Sequence, residues 1–427
     1  MPAPARNVRA TIPNALTGML AWACIFACAA VPAAAQAVSH KGFLDVSAVA
    51  YPQTTAADRT RIVAEALLRV EAWGRPVPAL KIDGAVDLRA DTHGQTLWRG
   101  IDWTDRGVAR PALSVRRFDV TYSSGSLTIS AGKQFVRWGR TDTVNPTDRF
   151  APRDFLTVFD NDYLAVTAAR VTIGGASDSI DVVAGRFTPS RIPLLDQRWS
   201  GSDPPAGGWT LNDRGVSAPA RIQTGARWNH IGNGFEFSLS GFSGNNTLPA
   251  VKAGPVPVPA GERPVFDVTR TYPRIWVVGG DAAVPTGWLT AKAEVAYVGS
   301  GDRSSDEYLL YVFQAERQFG ECLVIVGYVG EWVSVRRTTP GFAFDRGLTK
   351  ALLGRVSYTI DPNRSLALDA AVRQDASGSW VRAEYSQASG EHLRLTARVT
   401  WIRGGASTFF GRFSRNSNVA LSARYSF

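Results

Sequence analysis

Few residues of this chain suit acid–base or nucleophilic chemistry. The 427 residues include 4 histidines and 3 cysteines, and a serine hydrolase or an aspartate–histidine protease needs a histidine within reach of its partner. His93 is the candidate, because it follows Asp91 and shares a predicted loop with Asp102 and Asp105. The pattern fits a hydrolase site on this loop or, more simply, a surface pair of a histidine and an aspartate. No metal-ligand spacing, phosphate loop or dinucleotide fingerprint is present, so we expect no metal and no cofactor.

A denser group of charges suits electrostatic work rather than bond chemistry. The stretch from Gly132 to Phe155 reads GKQFVRWGRTDTVNPTDRFAPRDF. Prolines stiffen it, and its Asn, Thr and Asp residues favour turns. Its arginine–aspartate pairs could line a passage or could only pin a surface loop in place. The charged residues singled out in this loop are Arg137, Arg140, Asp142, Asp148, Arg149, Arg153 and Asp154.

The elements that must carry this loop are predicted to be β-strands. From Ile62 to Ala72 apolar residues occupy every second position and alternate mainly with charged ones, although the composition alone would suggest a helix. The same period recurs along the chain and predicts about 18 strands of roughly ten residues, with about 16 as the fallback. In a barrel that spans a membrane, the apolar face meets lipid and the charged face lines the lumen.

The connections between the predicted strands alternate in length. Tight Gly- and Asn-rich turns follow most even-numbered strands, and longer segments follow most odd-numbered ones. Short periplasmic turns and long extracellular loops are typical of outer-membrane barrels and require an even strand number. The sequence therefore predicts an all-β fold, a transmembrane, antiparallel, up-and-down barrel over residues 36–427, with inserted loops at 139–162 and 188–220.

The two ends of the chain agree with export to the bacterial outer membrane. Two arginines precede an apolar run from Leu16 to Ala30, and small residues follow it, so residues 1–35 are predicted to be a signal peptide. Its removal would leave Cys322 as the last cysteine and exclude an intrachain disulfide. The final strand, from Asn418 to Phe427, resembles the carboxy-terminal assembly signal of outer-membrane barrels. That resemblance implies lipid and the barrel-assembly machinery as partners.

The charged loop carries a further resemblance. Trp138-Gly139, Asn145-Pro146 with Asp148, and Pro152-Arg153-Asp154 are similar to a loop of uncharacterised porin-like outer-membrane proteins, related to the alginate-export type. In such barrels a loop of this kind commonly folds inward. By this resemblance, the seven charged residues given above would form the pore constriction.

Charges on the predicted inward faces indicate what could pass. The candidate pore-lining residues are Arg355, Arg373, Arg382, Arg394, Arg398, Arg424, Asp83 and Asp87. With a net charge of +10, this distribution favours anions slightly, or only neutralises itself. No basic run points to nucleic acid. We expect a non-enzymatic, porin-like channel for small hydrophilic solutes; the alternatives are an export channel for an acidic polysaccharide and a rim hydrolase that uses His93.

Overall fold

The computed structural model describes residues 38–193, 197–201, 210–216, 219, 221–259, 261–338 and 343–427. The predicted signal peptide, residues 1–35, lies outside the described residues, as do parts of the predicted inserted loop at 188–220. Among the described residues, no helix combines the length and apolar character needed to cross a bilayer.

The main sheet is a closed barrel of 18 antiparallel strands, which confirms the predicted fold class and strand number. Each strand pairs with the next along the chain, and the last pairs with the first. The barrel strands are β1 (Ser39–Ala50), β2 (Ile62–Val77), β3 (Leu80–Asp91), β4 (Arg110–Ser124), β5 (Leu127–Gln134), β6 (Val166–Gly174), β7 (Asp178–Arg186), β8 (Ile222–Gly232), β9 (Phe235–Asn245), β10 (Arg274–Pro285), β11 (Thr290–Gly299), β12 (Glu307–Phe319), β13 (Cys322–Val335), β14 (Ala351–Asp361), β15 (Arg364–Arg373), β16 (Gly378–Ser389), β17 (Leu393–Gly404) and β18 (Asn418–Ser426).

The connections are sorted between the two rims. Links of two to four residues join β2 to β3, β4 to β5 and every later pair at that rim, whereas links at the opposite rim reach 35 residues between β7 and β8. Phe427 closes the seam at the short-turn rim, because it exchanges two backbone hydrogen bonds with Gly42. A side chain on Gly42 would overlap both the Phe427 ring and the backbone carbonyl of Arg69, so its replacement would shift the seam.

Side chains alternate between an apolar exterior and a mixed interior. On β2, Ile62 is 69% exposed and Val70 is also exposed. Val63, whose side chain points to the opposite face of the strand, is buried. Exposed large apolar residues occur in the same way on β1 to β15 and on β17 and β18. This exterior is the lipid-facing pattern of a membrane barrel.

Two strands depart from the alternation that the sequence suggests. Lys133 shares the predicted face of Ile129, yet it is only 1% exposed and its ammonium group donates to Asp105 and to the carbonyl of Val115. Gly132, with a φ of 130°, breaks the period just before it. On β13, Val329 is fully buried, so the face that it shares with Glu331 points inward.

A short parallel strand extends the wall where β5 ends early. β5 stops at Gln134 because the chain then enters the barrel. The strand Thr96–Asp102 pairs in parallel with the upper part of β4. Residues Leu113 and Ser114 of β4 pair with β3 as well, so this strand occupies the edge that β5 uses lower down. A separate three-stranded sheet, Thr210–Val216, Val265–Thr271 and Ala250–Val256, joins two of the long loops.

Candidate functional site

The segment between β5 and β6, residues 135–165, runs through the barrel interior and is called the inward loop below. Its strongest anchor is Glu294 on β11, which is 1% exposed. One carboxylate oxygen accepts from the backbone N–H (2.8 Å) and hydroxyl (2.9 Å) of Thr147. The other accepts from the backbone N–H groups of Arg140 (2.9 Å) and Thr141 (3.2 Å). One wall carboxylate therefore holds two turns of the loop.

A second wall carboxylate, Asp281 on β10, reinforces this contact. It pairs with the guanidinium groups of Arg140 (2.5 Å) and Arg227 (2.9 Å). Arg140 also pairs with Glu236. Charge-assisted bonds of this kind are stronger than neutral ones, and here most partners are shielded from water.

Apolar packing accompanies these polar anchors. Trp138 and Phe150 of the inward loop pack edge-on, at 5.3 Å between ring centroids, and Phe150 packs against Phe242 of β9 at 5.0 Å. The indole N–H of Trp138 donates to Asp181 of β7 at 2.8 Å. The loop therefore has a small core of its own against β7 to β11.

Farther along, the inward loop is tied to the opposite side by a buried charge network. Asp154 pairs with Arg110 at the start of β4 (3.0 Å) and with Arg191 (3.2 Å), and Arg191 continues to Asp105 (2.6 Å). Burial alone would raise the pKa of Asp154, but the two guanidinium groups outweigh it and hold the pKa well below its usual range. The carboxylate is therefore ionised at neutral pH.

The tip of the inward loop reaches β16 and β17. Asp160 pairs with Arg382 at 2.6 Å and with Arg398 at 3.6 Å. Phe159 beside it enters an aromatic cluster with ring centroids 5.7 to 6.1 Å away. The partners of Phe159 in this cluster are Trp199, Trp380, Phe409, Phe410 and Phe413.

The aromatic cluster also connects the outer loops to one another. Arg198, next to Trp199, lies over the Tyr51 ring at 4.1 Å and donates to the carbonyls of Gln53 (2.9 Å) and Thr60 (2.5 Å). Burial raises the pKa of Tyr51 to about 12, so this ring stays neutral. The described part of the 187–221 loop is therefore fixed to the loop that follows β1.

The inward loop separates two interior cavities of about 780 and 350 Å³. Residues 153–163 contribute to both. Asp154, Thr157 and Asp160 face the larger cavity, which β1 to β4 and β15 to β18 enclose. Phe155 and Phe159 face the smaller cavity, between β9 and β16. The larger cavity is lined mainly by charged and polar groups, and the smaller one by a mixture of charged, amide and apolar groups.

The seven loop residues singled out in the sequence come together inside the barrel but take different positions. Asp142, Asp148, Arg149 and Arg153 line the smaller cavity, and Asp154 lines the larger one. Arg140 is an anchor, as described above. Arg137 is half-exposed and lies over the Tyr163 ring at 4.0 Å. Asp148 accepts from the backbone of Gly139 at 2.6 Å, so it shapes the loop.

The predicted pore-lining residues all face inward, and most are paired. Arg394, Arg398, Arg424 and Asp87 line the larger cavity, and Arg355 and Arg382 line the smaller one. Arg373 lies nearer the outer rim, 3.4 Å from Asp375. Asp83 pairs with Lys81 at 2.8 Å. The pairs of the remaining residues are Arg355–Asp369 (3.2 Å), Arg398–Glu384 (3.1 Å), Arg424–Asp45 (2.8 Å) and Arg69–Asp87 (2.7 Å).

Arg394 differs from the other predicted pore-lining arginines. It donates to the hydroxyl of Ser386 at 2.9 Å, and within the described chain no carboxylate lies within ion-pair distance of it.

His93 faces the larger cavity and is 12% exposed in its side chain. Its ring nitrogens lie 3.5 Å from Asp91 and from Glu65, too far for a good hydrogen bond. Asp105 is engaged by Lys133 and Arg191 instead. In the part of the chain that the structure describes, no serine, threonine or cysteine side chain is hydrogen-bonded to His93, so the arrangement lacks a nucleophile.

Several residues that shape the interior escaped the sequence prediction. Glu294, Asp281 and Asp160 are single acids in ordinary strand or loop contexts, and nothing local distinguishes them. Phe159 belongs to an apolar segment, which a reader of the sequence would place in a core. Periodicity could have placed Glu294 on the inward face of β11, but not against Thr147, because that contact joins residues 147 positions apart.

Comparison with known proteins identifies the fold. No protein-family model and no curated protein matches the chain. Among solved structures it is similar to OccK3 (OpdO) of Pseudomonas aeruginosa, with a TM-score of 0.51 and 10% identity over 91% of this chain and 96% of that one. It is also similar to a BenF-like porin from Pseudomonas fluorescens Pf-5, with a TM-score of 0.54 and 10% identity over 92% and 98%. At these identities the likeness concerns architecture alone: the chain folds as a closed barrel like that of a porin.

Proposed function

We propose that the protein is an outer-membrane, porin-like channel for small hydrophilic solutes, and that the inward loop forms its constriction. The observation that carries the proposal is a closed barrel with an apolar exterior and a charge-lined interior that one loop divides. Placing this much exposed apolar surface in lipid instead of water gains about 25 cal/mol per Å². Charged groups on the inside offer hydrogen bonds to solutes that leave water.

The interior geometry favours small solutes over a polymer. The loop is tied to β7 to β11 on one side and to β16 and β17 on the other, so it crosses the lumen. Cavities of about 780 and 350 Å³ remain beside it. A polysaccharide chain would require displacement of this loop and of its buried ion pairs. We therefore place the solute channel ahead of an acidic-polysaccharide exporter.

A mild preference for anions is the finer part of the proposal. Most inward arginines are neutralised by carboxylates, so the preference rests on Arg394 and on the basic excess of the chain, +10 in full, of which Arg6 and Arg9 of the predicted signal peptide contribute two. An unpaired guanidinium in a cavity wall lowers the energy of an anion nearby.

The test is single-channel recording of the refolded mature protein in a planar bilayer under a salt gradient. Stepwise conductance with a reversal potential that favours anions is the expected result. A barrel that inserts and stays silent would overturn the channel, and a cation-selective reversal potential would overturn the anion preference alone. An Arg394→Gln variant tests whether Arg394 causes the anion preference. Arg373→Gln is the control, because Arg373 is paired with a carboxylate.

A further inference from the structure

We infer that the outer face of the barrel carries a binding site for one glycerophospholipid, with the acyl chain in an alanine-floored groove on β10 to β13 and the phosphate on Arg317. This inference rests on the proposed membrane location but on different residues from the channel. The groove has a volume of about 380 Å³. It lies on the exterior, away from both interior cavities.

The groove follows from the size of the outward side chains. Strand register brings Ala282 beside Ala293, and Ala291 beside Ala315, on the outward face of three adjacent strands. These methyl groups form the floor. Val284 on one side and Phe313 and Val326 on the other are exposed and stand above it. Adjacent strands lie about 4.8 Å apart, so a floor across three strands gives the width that one acyl chain needs.

Arg317 lies at the short-turn end of this groove. It follows Ala315 by two residues on β12 and therefore faces outward as well, about 7 Å farther along the strand. Its guanidinium carbon lies 4.6 Å from the Trp288 ring centroid and 4.4 Å from that of Phe319. Aromatic rings cover only the flat faces of a guanidinium group. Its N–H groups point outward in the plane and can therefore donate hydrogen bonds to a ligand.

The available donors suit a phosphate. Within the described residues, no carboxylate lies within ion-pair distance of Arg317, although its neighbour Glu316 pairs with Lys292 on the inside. A guanidinium presents two parallel N–H groups that match two phosphate oxygens. Trp288 is exposed in the rim turn, as expected of a tryptophan at headgroup depth. A cation at that depth with a groove for hydrocarbon beside it matches the two chemically distinct parts of a phospholipid.

A second copy of this chain is the alternative occupant, but the charge argues against it. A symmetric contact through this face would bring two like-charged Arg317 side chains towards one interface, where they repel each other. A lipid phosphate neutralises the charge instead.

The site can be tested by native mass spectrometry of the full mature barrel, released from nanodiscs that contain phosphatidylglycerol. Wild type should retain one phospholipid. Arg317→Gln should lower the retained fraction at least about tenfold, since even one of the two charge-assisted hydrogen bonds corresponds to a loss of that size. Ala315→Leu, which fills the groove, should lower it as well. The matched controls are Arg403→Gln, an outward arginine 4.2 Å from the Trp401 ring at the other rim, and Ala397→Leu, an outward alanine on β17.

Equal lipid retention in wild type and Arg317→Gln, or an equal loss in the Arg403→Gln control, would overturn the site. So would a wild-type dimer that Ala315→Leu converts to monomer, because a protein partner would then occupy the groove. Conductance measured on the same samples separates this inference from the proposed function. A silent barrel that retains lipid would contradict the proposed channel and support the lipid site. A conducting barrel without lipid would support the channel and contradict the lipid site.

Discussion

Replacing Glu294 with glutamine should release the inward loop and raise conductance. The carboxylate accepts five backbone or hydroxyl hydrogen bonds at 2.8 to 3.2 Å from the loop, two on one oxygen and three on the other. Glutamine keeps the shape, but its NH₂ group must face at least two of these donors. Two charge-assisted hydrogen bonds are then lost, at about 1.5 to 3 kcal/mol each, or about 3 to 6 kcal/mol in total.

The matched control is Glu384→Gln. Glu384 is also an inward carboxylate, but it pairs with Arg398 at 3.1 Å and both side chains are about a third exposed. A pair of this exposure contributes about 1 kcal/mol or less. The control removes the same charge from the lumen and leaves Arg398 with its partner Asp160 at the tip of the loop.

Two assays distinguish the variants. Single-channel recording should show larger and noisier openings for Glu294→Gln, and trypsin should cut the loop at arginines that are protected in wild type. Glu384→Gln should change ion preference only. If Glu294→Gln keeps the wild-type conductance and protease resistance, the buried carboxylate does not hold the loop, and the reasoning from its hydrogen bonds is wrong.

Three further predictions concern the strand break, the unpaired arginine and pH. Gly132→Ala should lower the refolding yield, because φ is 130° there and a side chain would overlap the carbonyl of Phe118, whereas Gly241→Ala, at a site with open space, should refold normally; equal yields would contradict this. Arg394→Gln should shift the reversal potential towards cations more than Arg373→Gln does, because Arg373 already has a carboxylate partner; an equal shift would show that pairing does not matter. The pKa of Asp154 is lower in the folded than in the unfolded state, so its ion pairs stabilise the loop fully above its unfolded pKa of about 3.9, and this contribution falls as pH drops through the folded value. Protease resistance should therefore be the same at pH 7 and pH 5, and a loss in that window would refute the assignment.

The barrel could be predicted because the alternation of apolar and polar residues is visible within each strand. Each strand shows its two faces within ten residues, and each turn shows its type within four, so strand number and loop sorting follow from the sequence. The period failed at Lys133, because Gly132 has a conformation that a single sequence does not reveal. It was also ambiguous on β13, where Val329 is buried in the interior hydrophobic cluster instead of facing lipid. An apolar inward face looks the same in sequence as an apolar outward one.

The interior could be predicted only in outline. Charge density marked the loop from Gly132 to Phe155, and that loop does enter the barrel. Which of its charges are anchors and which line a cavity depends on partners far away in sequence, such as Asp281 for Arg140 and Arg191 for Asp154. The parallel strand Thr96–Asp102 was not predicted, because its pairing depends on an edge that exists only after β5 has ended.

The barrel wall should open more easily at that parallel strand than elsewhere. Elsewhere each barrel strand is hydrogen-bonded on both edges over most of its length, but Thr96–Asp102 has β4 on one edge and, among the described residues, no strand on the other. Trp98, 70% exposed, adds little packing. Amide hydrogens there should exchange with solvent earlier than those of the neighbouring strands, because local opening breaks fewer bonds. The chain leaves the wall for the lumen beside this strand, so fluctuations of the inward loop and local opening of the wall start at the same place.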